Sequence, residues 1–147
     1  MSFKITAYGV RSNEVESFNK LNKYDFELNL LSENLAADNV QTAAGSDAVL
    51  LRGNNLADKR NLDRLNEMGI KYVFTRTVGY NHIDVAAAKA NGQLVAYVPG
   101  YSPYSVAELA FTLGLTLQRN TALAAYRSSQ KDFRVQPDEF ATEIHDL

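Results

Sequence analysis

The regular alternation of short apolar runs with helical patterns over the first hundred residues is the feature that most constrains the fold. Five runs have the length and apolar character of buried strands, at residues 4–8, 26–30, 48–51, 72–74 and 94–97. Helical patterns lie between them, near residues 14–21, 36–44, 58–68 and 85–90. Repeated strand–helix units with short connections predict an α/β fold with a parallel sheet and helices on both faces. Five strands suit a flavodoxin-like arrangement, although one sequence does not give the strand order.

The character of the chain changes after Pro99. Ser102 and Pro103 form a helix start, with a capping hydroxyl followed by proline at the first helical position. From there to about residue 130 only Gly114 interrupts the helical pattern, and apolar positions cover most of the circumference. The sequence therefore predicts one long apolar helix that is buried on several sides. Residues 132–147 are polar and interrupted by proline, which predicts a linker.

Composition limits the classes of function. The chain has 147 residues, 46% of them apolar and 22% charged, which suits one folded domain and not a disordered segment. A formal net charge of −2 gives no reason to expect nucleic acid or an anionic membrane as a partner. Cysteine is absent, which removes disulfides, thiolate metal sites and cysteine nucleophiles. No apolar run is long enough to span a bilayer and the amino terminus has no signal-peptide core, so we expect a cytoplasmic protein.

Two loops that follow predicted strands are the segments best suited to bind a small molecule. They are residues 75–84, which contain Val78 and Gly79, and residues 98–103, which contain Tyr101. In an open α/β sheet, ligands bind at the loops beyond the carboxyl ends of the strands. Gly79 would let backbone N–H groups approach an anion closely, whereas the alternative is a tight turn that needs a positive φ. The Tyr101 hydroxyl would orient a substrate, whereas the alternative is a buried ring whose hydroxyl meets the backbone.

The same two loops carry a resemblance to a known family. The patterns T-R-x-x-G-x-x-x-I-D and V-P-x-Y-S-P-x-x-V-A-E, which begin at Thr75 and Val98, resemble the NAD-dependent D-2-hydroxyacid dehydrogenases. The resemblance is to the D-lactate, D-2-hydroxyglutarate and D-2-hydroxyisocaproate dehydrogenase branch, and it covers all of this chain but less than half of a family member. It implies that Val78 and Gly79 donate main-chain hydrogen bonds to the substrate carboxylate and that Tyr101 contacts the substrate.

The resemblance also implies how the chain is divided. Residues 1–100 correspond to a substrate-binding (catalytic) domain, residues 101–131 to a long interdomain helix, and residues 132–147 to a linker toward an absent cofactor-binding domain. Val106, near the start of the helix, would be an apolar contact for the nicotinamide ring. From the residues alone, Val106 instead indicates core packing beside a capping box of Ser105 and Glu108.

Arg52 is a further candidate for the substrate site, because it follows the third predicted strand. Its planar guanidinium is suited to a second carboxylate or another polar group at the far end of the substrate. The alternative is a surface arginine in a loop. The resemblance adds little support for this role of Arg52, since family members vary at this position.

The catalytic groups that the family requires are not found in the sequence. His82 and His145 are the only histidines, and neither lies in the family's catalytic histidine motif. We interpret His82 as a solvated or capping residue and Asp84 as a charge that supports the following helix dipole. No G-x-G-x-x-G fingerprint follows a strand and no metal-ligand spacing occurs. NAD is therefore expected in the intact enzyme and not on this chain alone, and no metal is expected.

These observations predict the substrate-binding part of an oxidoreductase that uses NAD to reduce a 2-oxo acid to a D-2-hydroxy acid. The chain would be truncated before the dinucleotide-binding domain and would lack the catalytic Arg, Glu and His, so we expect it to be inactive alone. The alternative is a non-catalytic α/β module that binds a small carboxylic acid or a partner protein. Self-association through the helix at residues 102–130 is expected, because the apolar helix would lack its natural cover.

Overall fold

A five-stranded sheet organises the first part of the chain in this computed structural model, which describes residues 2–137. The strands are β1 (Lys4–Ala7), β2 (Glu27–Leu30), β3 (Ala48–Leu51), β4 (Tyr72–Thr75) and β5 (Leu94–Ala96). All neighbouring strands are parallel, in the order β2-β1-β3-β4-β5. The predicted parallel α/β fold is confirmed, and this strand order is the one found in flavodoxin-like sheets.

One face of the sheet forms the main core. Val49 pairs with Val73 in the register of β3 and β4, and both side chains lie on this face because successive strand residues alternate. The helices α2 (Lys59–Glu67) and α3 (Val85–Ala90) contribute to the same buried cluster. Its members are Tyr8, Leu35, Val40, Ala43, Val49, Leu51, Ala57, Leu62, Leu65, Ile70, Val73, Ile83, Ala87 and Ala88. Because the α3 helix starts directly after residues 75–84, this core fixes both ends of the first candidate loop.

The opposite face of the sheet is covered by α1 (Val15–Leu21), which follows a 3-10 turn at Ser12–Glu14. Phe18 of α1 lines a cavity of about 390 Å³ together with Ile5 and Leu28 from the sheet. Ile5, Leu28 and Phe18 are each only half-buried, so this face is less completely covered than the α2–α3 face. Helices therefore flank the sheet unequally.

The helix predicted at residues 36–44 is wrong as an α-helix. The structure has only a 3-10 turn, Val40–Ala43. The Asn39 side chain accepts a hydrogen bond from the Ala36 N–H at 2.8 Å and donates to the Asn34 carbonyl at 2.8 Å. Such local bonds offer the backbone an alternative to helical pairing, which explains the short turn.

The single long apolar helix predicted over residues 102–130 is also wrong. The second compact unit of the chain, which begins at Ser102, contains α4 (Pro103–Gln118) and α5 (Thr121–Ser129). Asn120 interrupts the pattern with a φ of 49°, a left-handed conformation that asparagine tolerates better than most residues. Every residue of α4 and α5 is at least partly exposed, so the expected burial of this segment is not observed in the unit itself. Within residues 2–137, no helix combines the length and apolar content needed to cross a membrane.

The first residues of the predicted linker are held by ion pairs. Asp132 accepts hydrogen bonds from the guanidinium groups of Arg134 and Arg127, at 2.9 and 3.2 Å. These bonds, first from Arg134 and then from Arg127, hold the pKa of the Asp132 carboxyl far below its ordinary value. Residues 138–147 of the predicted linker, including His145, lie outside the described residues.

Candidate functional site

The two candidate loops lie side by side because they follow neighbouring strands, β4 and β5. The Val98 N–H donates to the Thr77 carbonyl at 3.2 Å, which joins the two loops through the backbone. The rings of Tyr80 and Tyr97 also meet, with their centroids 5.0 Å apart and their planes 48° apart. The carboxyl ends of β4 and β5 thus form one continuous surface.

The loop after β4 presents a row of unused backbone donors. The N–H groups of Val78, Gly79 and Tyr80 have no hydrogen-bond acceptor among the residues that the structure describes. All three residues are exposed. Consecutive backbone N–H groups without internal partners are a recurrent setting for anion binding. The row therefore has the chemistry required to bind a carboxylate.

Gly79 does not have the conformation that the tight-turn interpretation required. Positive φ values occur at Gly9, Gly45, Gly69 and Gly92, but not at Gly79. A Cβ added at Gly79 would meet no protein atom within 4 Å. Neither backbone strain nor internal packing explains the glycine, so the tight-turn alternative is wrong. What the missing side chain does provide is open space beside the row of donors.

A hydrogen-bonded network of side chains lies under this loop. The Thr77 hydroxyl donates to the Gly79 carbonyl at 2.7 Å and lies 2.7 Å from the Thr75 hydroxyl. The Thr75 hydroxyl in turn lies 3.1 Å from Nε2 of His82. His82 is half-buried, and burial lowers its pKa; its ring bonds to Thr75, while the cap of α3 is Asp84. Sequence reasoning missed this network, for which the only local signal is two threonines at alternate positions where a strand ends.

Arg76, between the two threonines, is fixed by an ion pair. Its Nη1 and Nη2 lie 2.8 and 3.2 Å from the two carboxylate oxygens of Glu14, and Nη2 donates to the Gly9 carbonyl at 2.8 Å. Its guanidinium carbon stands 5.4 Å from the centre of the Phe18 ring. The hydrogen bond from Arg76, followed by one from the Arg11 backbone, lowers the pKa of Glu14 to about 2. Arg76 thus anchors the start of the loop to the β1–α1 connection.

Arg52 lies on the same side of the sheet as this anchor. It directly follows β3, is half-buried, and its positive charge contributes to the lowered pKa of Glu14. The Arg76 N–H donates to the Leu51 carbonyl at 3.1 Å, which brings the loops after β3 and β4 together. The structure therefore places Arg52, Val78 and Gly79 at the carboxyl edge of adjacent strands.

Tyr101 and Val106 are both exposed. Tyr101 ends the first compact unit and its side chain is 76% exposed, so the alternative of a buried ring is wrong. Val106 lies in the first turn of α4, in the second unit, and is 60% exposed. The interpretation of Val106 as a core residue is therefore not supported within that unit. Asp84 caps α3, with its side chain accepting from the Ala87 N–H at 2.9 Å, which confirms its predicted place at the helix start.

The space beside Gly9, directly after β1, is occupied by the protein itself. Gly9 follows β1, where a phosphate-binding loop would begin, but its N–H already donates to the Glu33 carbonyl at 2.8 Å. A Cβ at Gly9 would stand 2.7 Å from Oδ1 of Asn34, so the protein itself fills the space beside this glycine. No group of His, Cys, Asp or Glu side chains able to hold a metal ion occurs within residues 2–137.

Comparison with known proteins agrees with the resemblance of the two loops. The profile described as "D-isomer specific 2-hydroxyacid dehydrogenase, catalytic domain" matches residues 5–143. An aromatic 2-oxoacid reductase of Clostridium sporogenes is 38% identical over 131 residues, which are 88% of this chain and 40% of the reductase. A D-lactate dehydrogenase of Lactiplantibacillus plantarum is 36% identical over 137 residues, which are 92% of this chain and 41% of that enzyme.

The fold also resembles that of solved D-lactate dehydrogenase structures. The apo-structure of D-lactate dehydrogenase from Escherichia coli superposes with a TM-score of 0.71 at 30% sequence identity. The match covers 92% of this chain and 43% of that structure. The chain therefore spans about 40% of the length of the curated relatives that it matches.

Proposed function

The chain belongs to the D-isomer specific 2-hydroxyacid dehydrogenase family, and we propose that it binds the substrate for an NAD-dependent enzyme that reduces a 2-oxo acid to a D-2-hydroxy acid. The observation that carries the proposal is the row of unused N–H groups at Val78, Gly79 and Tyr80. It stands beside a glycine that the fold does not itself require. A carboxylate accepts two such hydrogen bonds without a counter-charge being buried.

We assign the contacts of a bound 2-oxo acid to four residues. Val78 and Gly79 donate their backbone N–H groups to the carboxylate. Arg52, at the end of the neighbouring strand β3, faces the distal part of substrates that carry a second polar group. Tyr101 contributes its hydroxyl at the end of the loop after β5. The names of the relatives, which refer to aromatic 2-oxoacids and D-lactate, make phenylpyruvate and pyruvate the first substrates to test.

The same proposal divides the work between this chain and the rest of an intact enzyme. Residues 1–100 form the substrate-binding domain, residues 101–131 the interdomain segment, and residues 132–147 a linker. NAD, which supplies the hydride when bound, is assigned to the part that this chain does not contain, with Val106 as an apolar contact for the nicotinamide. The rate of hydride transfer depends on holding the cofactor, the catalytic proton donor and the substrate together. The chain alone should therefore not oxidise NADH with any 2-oxo acid.

Substitution of Gly79 by alanine tests the carboxylate site. Gly79→Ala should weaken binding of phenylpyruvate at least roughly tenfold, because a methyl group would occupy the space beside the donors and remove a hydrogen bond to a charged group. Stability should be unchanged or slightly raised, since the new Cβ meets no protein atom within 4 Å. Calorimetric titration and thermal unfolding measure the two effects.

Two controls complete this experiment. Gly114→Ala, at an uncrowded position in the middle of α4, should leave phenylpyruvate binding unchanged. Phenylacetone, which lacks the carboxylate, should bind neither the wild-type chain nor the Gly79→Ala variant. Equal affinity of the wild-type chain and the Gly79→Ala variant for phenylpyruvate would contradict the proposed site.

A further inference from the structure

A chain of hydrogen bonds runs from a histidine to the carbonyl that lies within the row of donors. It joins Nε2 of His82 to the Thr75 hydroxyl at 3.1 Å, and the Thr75 hydroxyl to the Thr77 hydroxyl at 2.7 Å. It ends where the Thr77 hydroxyl meets the Gly79 carbonyl at 2.7 Å. Thr75 is buried, His82 and Thr77 are half-buried, and the last bond, to Gly79, is exposed.

The direction of every bond in the chain follows from its last acceptor. A carbonyl oxygen only accepts, so the Thr77 hydroxyl must give its one hydrogen to Gly79. The Thr77 oxygen therefore accepts from Thr75, which uses the one hydrogen of that hydroxyl. His82 must then be the donor to Thr75, through an Nε2–H group. The competing acceptor for Thr75, the Leu51 carbonyl, is 3.5 Å away, at the limit of a hydrogen bond.

The end of this chain lies where the loop has least support of its own. Glycine accepts many backbone conformations, and the Gly79 N–H has no acceptor among the described residues. The carbonyls of Thr77 and Tyr80, on either side of residues 78–79, are held by the N–H groups of Val98 and Ile83, at 3.2 and 3.0 Å. The Gly79 carbonyl is held by Thr77. Because the peptide unit is planar, fixing this carbonyl also fixes the direction of the Tyr80 N–H.

We propose that His82, Thr75 and Thr77 form a relay that positions the substrate-carboxylate loop, with His82 held as the Nε2–H tautomer. His82 is thus a positioning residue and does not exchange a proton with the substrate. The expected effect of the relay, tighter binding of a 2-oxo acid, rests on the proposed function. The relay itself is a property of the chain without ligand and can be measured there.

The ligand-free chain tests the relay by nitrogen NMR. Long-range proton–nitrogen correlation of the imidazole should give the pattern of an Nε2–H ring at neutral pH, with His145→Gln used to assign the His82 signal. Thr77→Val should shift the Tyr80 amide nitrogen, because the Gly79 carbonyl loses its donor, and Thr77→Ser should restore it. An Nδ1–H ring, or a Tyr80 signal unmoved in Thr77→Val, would overturn the relay whatever the chain binds.

Binding of phenylpyruvate tests the consequence. Thr77→Val should weaken it roughly three- to tenfold, the worth of one hydrogen bond, and Thr77→Ser should retain wild-type affinity. Thr75→Val combined with Thr77→Val should weaken phenylpyruvate binding little more than either change alone, because both break the same relay. Full affinity in Thr77→Val would overturn the positioning role. If the wild-type chain binds no 2-oxo acid, the proposed function fails, while the NMR signatures still decide the relay.

Discussion

At the scale of single residues, glycines serve two different purposes in this chain. Gly69 follows α2 with a φ of 84°, a conformation that an L side chain adopts only with strain. Gly79 has no positive φ, and a side chain there would meet no protein atom within 4 Å. The fold itself requires glycine at position 69 but not at position 79. Open space beside the Gly79 backbone is what the proposed binding of a carboxylate at this loop requires.

The pair formed by Glu14 and Arg76 makes stability depend on pH in the acid range. Arg76 lowers the pKa of Glu14 from 4.5 to about 2 in the folded chain. Because the folded pKa is the lower one, this stabilisation is complete above pH 4.5 and is lost as the pH falls toward 2. Both side chains are about a quarter exposed, at 21% and 27%, so solvent limits the effect.

We therefore expect the free energy of unfolding in urea to fall between about pH 6 and about pH 3. The fall should be larger in the wild-type chain than in Glu14→Gln, by up to about 1 kcal/mol. Glu16→Gln, on the exposed side of α1, is the matched control and should lose as much stability as the wild type. Equal acid-induced losses in the wild-type chain and Glu14→Gln would contradict the assigned role of the ion pair.

At the scale of secondary-structure elements, prediction succeeded where local signals agree with packing. β3 and α3 have the bounds expected from sequence, because an apolar run and an apolar helix face are both buried in the same core. The helix expected at residues 36–44 failed because Asn39 bonds to the backbone around it. The helix expected at residues 102–130 ends early because Asn120 adopts a left-handed conformation.

The candidate site was predictable only in part, for a physical reason. All strands of a parallel sheet end at the same edge, so the loop containing Val78 and Gly79 and the end of β3 at Arg52 could be placed at that edge from the sequence pattern. That β3 and β4 are neighbours follows only from the strand order of the structure. The relay through Thr75 and His82 could not be placed, because it depends on the path of the loop between them. The sequence does not show that the loop after β4 folds back and brings His82 next to Thr75, seven residues earlier.

The short helix α3 depends on its cap. Asp84 accepts a hydrogen bond from the Ala87 N–H at 2.9 Å, and α3 has only 6 residues to share the cost of its free ends. Asp84→Ala should lower the free energy of unfolding by about 1 kcal/mol, whereas Asp84→Asn, which keeps a side-chain acceptor, should retain most of it. Urea unfolding followed by circular dichroism measures both. An alanine variant as stable as the wild type would show that the cap is not needed.

At the scale of the whole molecule, the second unit does not bury the apolar side chains of its own helix α4. Its exposed side chains include Val106, Leu109, Phe111, Leu113 and Leu117, which are 55–78% accessible. Contiguous apolar surface of this kind is unusual on a soluble monomer. We propose that the chain covers this surface by self-association through α4 and α5.

Light scattering coupled to size-exclusion chromatography should give a mass above the 16.3 kDa of one chain, rising with concentration. Phe111→Glu should shift the population toward the monomer, because it places a charge in the interface. Tyr24→Glu, at an equally exposed position of the first unit, should not. A monomeric wild-type chain at high concentration would refute self-association.

The proposed site binds the carboxylate of a 2-oxo acid through the backbone N–H groups of Val78 and Gly79, next to Tyr80. The first experiment is a titration of the nitrogen-labelled chain with phenylpyruvate, pyruvate and 2-oxoglutarate, in which the amide signal of each residue is followed. We predict that the largest shifts occur at the amides of Val78, Gly79 and Tyr80 with each acid, and that phenylacetone produces none there. Saturating 2-oxo acid that leaves these three signals in place, or moves only signals elsewhere, would contradict binding at this loop.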